Sequence, residues 1–258
     1  MTTNNIKSFL ESKTAAYNQP CFIESDPVSI PHSFVRKEDI EIAGFLTAII
    51  SWGRRPAILK AGKNLMQLLD NAPYDFIAQH TDSDLKRLTG FVYRTFNSSD
   101  LLFFITALQQ IYTEKGGLEA VCIKYFKTTN SIKEMITGLR RELLETVHLF
   151  RSEKHLAAPE KGSAAKRINM FLRWMVRHDN RGVDFGIWKE IPMSALMIPL
   201  DVHSGNTARK LGLLKRKQND WKAGEELTEV LRQFDPEDPV KYDYALFGTG
   251  IYEKFAGN

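Results

Sequence analysis

Cysteine is nearly absent. The chain has 258 residues and two cysteines, Cys21 and Cys122, far apart in sequence. Neither a disulfide framework nor a four-thiolate iron–sulfur cluster can be built from them. Long apolar runs are missing too, since no segment reaches the roughly 18 uninterrupted apolar residues of a membrane span. The amino end, MTTNNIKSFLESK, has no basic stretch leading into an apolar one and does not read as a secretory signal. A cytoplasmic protein is the expectation. Strand-like alternation, repeats at solenoid spacing and low-complexity tracts are also lacking. Charge of one sign is in small excess: the net charge is +4 and the pI about 8.9, which permits an anionic partner such as nucleic acid without requiring one.

Helical spacing runs through almost everything else. IKSFLESKTAAY carries Ile6, Phe9 and Leu10 at helical intervals, while QPCFIESDPVSIPHSF, with three prolines, reads as a connector. KEDIEIAGFLTAIISWG lines up Ile40, Ala43, Phe45, Leu46, Ile49 and Ile50 as a wide apolar stripe that stops at Gly53. Pro56 and Pro73 each open a further helix, a position where proline is tolerated. SSDLLFFITALQQIYTEKG offers Ser98 or Ser99 as N-cap and Gly116 as stop. GLEAVCIKYF, SIKEMITGLRRELLETVHLF, SAAKRINMFLRWMVRH, DVHSGNTARKLGLL, WKAGEELTEVLRQF and PVKYDYALFGTGIYEKF complete the series. The pattern predicts an all-α chain.

Two stretches invite chemistry. In PEKGSAAKRINMFLRWMVRH, the turn Lys161-Gly162-Ser163 leads into a helix with Lys166 in its first turn. Backbone N–H groups of Ser163, Ala164 and Ala165 at that end suit an anion such as a backbone phosphate. The same positive end disfavours an ammonium, and a neutral lysine amine is a nucleophile that forms a Schiff base with an aldehyde. In IPLDVHSGNTARKLGLL, Asp201 stands at a helix entrance after a proline-led apolar approach. The residues alone leave two readings open: an N-cap at Asp201 or Ser204 and a solvated lysine, or a catalytic pair. Capping and catalysis are compatible at Asp201. His203 follows Asp201 by two positions, and such side chains diverge on a helix, so a joint metal site is not expected.

A Gly-x-x-x-Lys turn opening one helix, then an apolar Leu-Asp-x-His segment opening another, resembles the helix-hairpin-helix (HhH-GPD) DNA glycosylase superfamily. That superfamily includes endonuclease III and the 8-oxoguanine glycosylases. IAGFLTAIISWGRRPAILKAGKNLM is similar to its early helix, polar loop and next helix, and DYALFGTGIYEKF to its last helix. The whole looks like a bacterial side branch of the superfamily. Three departures stand out: Ala164 replaces the hairpin's second glycine, Pro159-Glu160-Lys161 replaces a Leu-Pro entry, and HDNRGVDFGIWKEIPMSALM lengthens the connection between the two motifs.

The resemblance implies a two-lobed all-α fold. Residues 40–187 would form a central lobe with the hairpin, and 1–39 plus 188–258 a second lobe. Lys166 would line one wall of the cleft between them and Asp201 the other. It further implies base-excision repair on double-stranded DNA with a damaged base. Asp201 would stabilise the oxocarbenium-like sugar as the extruded base leaves. Lys166 would attack C1′, and the imine would permit β-elimination of the 3′ phosphate. The cluster cysteines of endonuclease III are absent, so neither an iron–sulfur cluster nor any other cofactor is expected, and a nucleoid-associated monomer is.

By the same resemblance Gly162, Ser163, Ala164, Ala165, Arg209 and Lys210 would bind the DNA backbone. Arg54 or Arg55 would fill the void left by the base or bind phosphate, and Phe185, Trp188 and Phe247 would line its pocket. Trp174, on the stripe Ile168, Phe171, Leu172, Met175, is assigned to the core. Two other readings stay open: a DNA-binding protein that kept the fold and lost the chemistry, and an unrelated helical interaction domain.

Overall fold

The computed structural model describes residues 3–253. The chain is all-α. In order, the helices are α1 (Thr3–Tyr17), α2 (Cys21–Ser25), α3 (Lys37–Ile50), α4 (Arg55–Leu68), α5 (Pro73–Gln79), α6 (Asp82–Arg87), α7 (Ser98–Glu114), α8 (Leu118–Thr129), α9 (Ile132–Leu144), α10 (Lys166–Val176), α11 (Val202–Lys210), α12 (Trp221–Phe234) and α13 (Tyr242–Tyr252). A short ribbon, β1 (Val92–Tyr93) with β2 (Phe96–Asn97), is antiparallel and pairs Val92 with Asn97. Two helices fall outside the expected segments. One is α2, inside the proline-rich connector; the other is α6, opened by a capping box between Thr81 and Asp84. Lys254 and Phe255, expected at the end of the last helix, lie outside the described residues. Among the described residues no helix is long and apolar enough to cross a membrane.

The chain divides into two compact units, Ser25–Ala158 and Met1–Glu24 with Pro159–Asn258. In the central unit α3 is buried on every side from Ile40 to Ile50, as a helix apolar all round must be. Its one buried carboxylate, Glu41, is satisfied by the Tyr112 hydroxyl at 2.6 Å. Phe45 meets Phe104 of α7 edge-on. α8 and α9 form a hairpin turned at Asn130, with Ser131 capping α9.

The unit made from the two ends of the chain packs α1 and α11 along α13. Its core includes Leu10, Leu200, Leu211, Leu227, Leu231 and Leu246. The α1–α13 contact depends on Gly248, where a Cβ would come 2.3 Å from the Tyr17 ring. α10 buries Ile168 to Val176. The connection from Arg177 to Met197 straps the far end of that helix, donating Phe185 N–H to Trp174 O at 2.8 Å and Trp188 N–H to Met175 O at 2.9 Å. Carbonyls that a helix end would leave orphaned are satisfied this way.

Candidate functional site

α10 begins at Lys166 itself, and the residue before it, Ala165, is left-handed at φ 50°, ψ 32°. That conformation costs a non-glycine residue about 1–3 kcal/mol and persists only where neighbours over-determine it. Here they do. Gly162 N–H donates to Pro159 O at 2.9 Å, and Trp221 N–H donates to Gly162 O at 3.1 Å, pinning the turn to the start of α12. Asn169 Nδ2 donates to Ala164 O at 3.2 Å from the second turn of α10. Gly162 has φ 88° with open space where a Cβ would stand, so the backbone demands glycine there, not a neighbour.

Asp201 caps α11 from an extended backbone. Its Oδ1 accepts from Ser204 N–H at 2.9 Å and Ser204 Oγ–H at 3.1 Å. Its other oxygen, Oδ2, lies 3.9 Å from Lys166 Nζ, with the two side chains 30% (Lys) and 19% (Asp) exposed. The cap and the lysine contact therefore use different oxygens, and the pair is shielded yet reachable. Asn219 Nδ2 holds Asp201 O at 3.0 Å and fixes the entry of the helix.

Both residues lie in the unit made from the chain ends. The boundaries read from sequence, 40–187 against 1–39 plus 188–258, would have set them on opposite lobes. The division at Pro159 differs because α10 buries its apolar face with the elements that follow it: Phe171 meets Trp188 edge-on, and Arg173 reaches Asp243.

Beneath the pair runs a buried ionic cluster. Arg173, two turns after Lys166, donates Nε–H to Asp184 Oδ1 at 3.2 Å and Nη1–H to Asp243 Oδ2. Ser204 Oγ lies 3.4 Å from Asp243 Oδ1. Arg177 donates to Asp184 at 2.9 Å and to Asp179 at 2.8 Å, and Tyr244 O–H to Asp184 at 2.9 Å. Burial pushes the Asp243 carboxyl up to about 6 against the pull of Arg173; Asp201 adds to the rise and Lys166 opposes it. Sequence reasoning missed Arg173, Asp184, Ser204 as a bridge, and Asp243. One signal was available: Asp243 is a charged residue within the otherwise apolar run YDYALFGTG.

With that geometry in place, the comparison with known families is direct: a model described as a protein of unknown function, DUF2400, matches residues 26–252. The chain belongs to the DUF2400 family. The match takes in Lys166, Asp201, Ser204 and Asp243 of this DUF2400 chain. No curated protein and no solved structure matches it. Among its described residues no group of three His, Cys, Asp or Glu is placed to hold a metal ion.

Other expected site residues of this DUF2400 chain land in varied places. Gly162 and Ser163 are exposed and Ala164 half-buried. Ala165 donates its N–H to Ser163 Oγ at 3.2 Å, so the anion cradle expected from three free donors loses that one. Arg209 is a staple of the following loop. It donates Nε–H to Arg216 O at 2.8 Å and Nη2–H to Asn219 Oδ1 at 2.6 Å, so two of its donors are engaged within the protein. Lys210 is exposed in the last turn of α11.

Trp188 is fully buried against Phe171 and belongs to the core, not to a base pocket; the connection that carries it is a strap rather than a free loop. Trp174 is buried, as its stripe requires. Phe185 is half-buried. Phe247 is half-buried as well, one turn after Asp243, with its ring edge-on to His203 at 6.3 Å. Arg54 is exposed ahead of α4, and Arg55 begins that helix with Nη2 3.9 Å from Asp26 Oδ2. Both belong to the central unit. The loop before them is braced by Trp52 stacked on His155 and by Tyr93 O–H on Trp52 O at 2.7 Å.

Proposed function

We propose that this chain is a DNA glycosylase with AP-lyase activity, built on the helix-hairpin-helix glycosylase plan. The observation that carries the reading is the approach of Lys166 Nζ to Asp201 Oδ2, at 3.9 Å and partly open to solvent, from the starts of two helices far apart in the chain. Base excision from a nucleoside needs a carboxylate beside the cation that develops on the sugar, and the lyase step needs an amine that can form an imine. Asp201 fills the first role. Lys166 fills the second: its ammonium gives up a proton, for which the adjacent carboxylate is an acceptor, and the free amine attacks C1′. The exposed turn Gly162–Ser163, directly ahead of α10, supports a contact with the phosphate backbone. A net charge of +4 is compatible with that partner.

Borohydride trapping on a duplex with one abasic site tests the proposal. The wild type should give a covalent adduct, and Lys166→Ala should give none. On a duplex still carrying its damaged base, Asp201→Asn should lose base release by about 100-fold or more, in line with removal of a group that stabilises transition-state charge. Duplex binding with neither adduct nor base release would instead favour a DNA-binding protein without the chemistry. No salt-dependent DNA binding at all would favour an unrelated helical domain.

A further inference from the structure

Ser204 stands between two carboxylates. Its Oγ is 3.1 Å from Asp201 Oδ1 and 3.4 Å from Asp243 Oδ1, and the side chain is fully buried. A hydroxyl has one proton to donate and lone pairs to accept with, so it cannot serve two ionised carboxylates at once. While Asp243 is ionised, the two compete for the Ser204 proton. Once Asp243 is protonated, its O–H donates to Ser204 Oγ and Ser204 donates to Asp201, completing one directional chain.

We propose that Asp243 is a positioning residue for the Lys166–Asp201 pair, acting through Ser204. Protonation of Asp243 commits the Ser204 hydroxyl to Asp201, fixes that carboxylate beside Lys166 and removes a negative charge from beneath the pair. What Lys166 and Asp201 then do rests on the glycosylase reading; the hydrogen-bond chain itself does not.

The surroundings of Asp243 are consistent with such a role. From α10 it faces Arg173, which donates to Oδ2, and the more distant Lys166; from α11, Ser204 and Asp201; from the strap, Asp184. On its own helix the Tyr242 and Tyr244 hydroxyls go to Glu11 and Asp184. α1, packed along α13, directs Lys13 to Glu253. Burial outweighs Arg173 and places the proton uptake of Asp243 at about 6, so the chain of bonds completes as the pH falls through that value.

Carboxyl ¹³C NMR of aspartate-labelled protein tests this without DNA, comparing wild type with Ser204→Ala and Asp243→Asn. The Asp201 resonance of the wild type should show an inflection at the pH where Asp243 titrates. Asp243→Asn should abolish it. Ser204→Ala should shrink it to a through-space remnant while Asp243 still titrates. An Asp201 resonance with no such inflection overturns the proposal, as does an inflection of equal size in Ser204→Ala. If Asp243→Asn fails to fold, the Ser204→Ala comparison decides alone. Should no protein form a borohydride adduct while the NMR coupling is present, the glycosylase reading fails and the hydrogen-bond chain stands.

Discussion

Asp243 is a carboxyl with almost no water around it, and the pH dependence of stability follows from that. Its folded pKa is raised from 3.8 to about 6, so between those values the folded state holds a proton that the unfolded state releases. Unfolding is then favoured by rising pH: the stabilisation is complete below about 4 and lost as the pH passes 6. Glu142, held down to about 2 against burial by hydrogen bonds from Lys115, Tyr125 and Lys124, and Asp220, held down to about 2 by Arg216, carry the opposite sign: their stabilisation is complete above about 4.5 and is lost as the pH falls toward 2. Thermal melts at a series of pH values should therefore show wild type losing stability relative to Asp243→Asn as the pH rises from about 4 to 6; parallel curves would contradict the account. Trp188 gives a second test at this scale. Truncating it to alanine empties a fully buried site and should cost about 3–5 kcal/mol in urea denaturation. A surface or pocket-wall residue would cost far less.

At the scale of elements, the helices were legible because their apolar residues recur at helical intervals over long windows. Their ends were less so. α7 is capped by Asn97 in a box with Asp100, not by Ser98 or Ser99. α9 stops at Leu144, although the apolar pattern runs on through Val147, Leu149 and Phe150, which are exposed. The candidate pair could be named from two short motifs, because helix starts and their polar residues are local features. Arg173, Asp184 and Asp243 could not, because their meeting depends on the packing of α10, α13 and the strap, which no local pattern encodes. The bonds of Arg209 to its loop were hidden for the same reason: on a helix its spacing reads as surface charge, and only the fold brings the 216–219 loop under it. Arg209→Ala should accordingly lower stability by about 1–2 kcal/mol through unpaired loop carbonyls and leave the salt dependence of any DNA binding unchanged. Gly248→Ala should separate α1 from α13, lowering the melting temperature through overpacking worth about 1–3 kcal/mol.

For the whole molecule, the chain ends build one unit and the middle another. The proposed chemistry sits entirely in the first, and Arg54 and Arg55 in the second. The functional reading therefore separates their contributions. Arg54→Ala should weaken duplex binding and reduce the slope of log affinity against log salt by about one, the signature of one lost phosphate contact, while Lys166 remains able to form an adduct. The claim on which the rest depends is that Lys166 is the nucleophile, and peptide mapping after borohydride reduction on an abasic duplex reads it most directly. The account predicts a tryptic peptide running from Gly162 through Arg167, uncut after a modified Lys166 and carrying the reduced sugar. An adduct mapped to any other lysine, or a Lys166 left unmodified at saturating duplex, would contradict it.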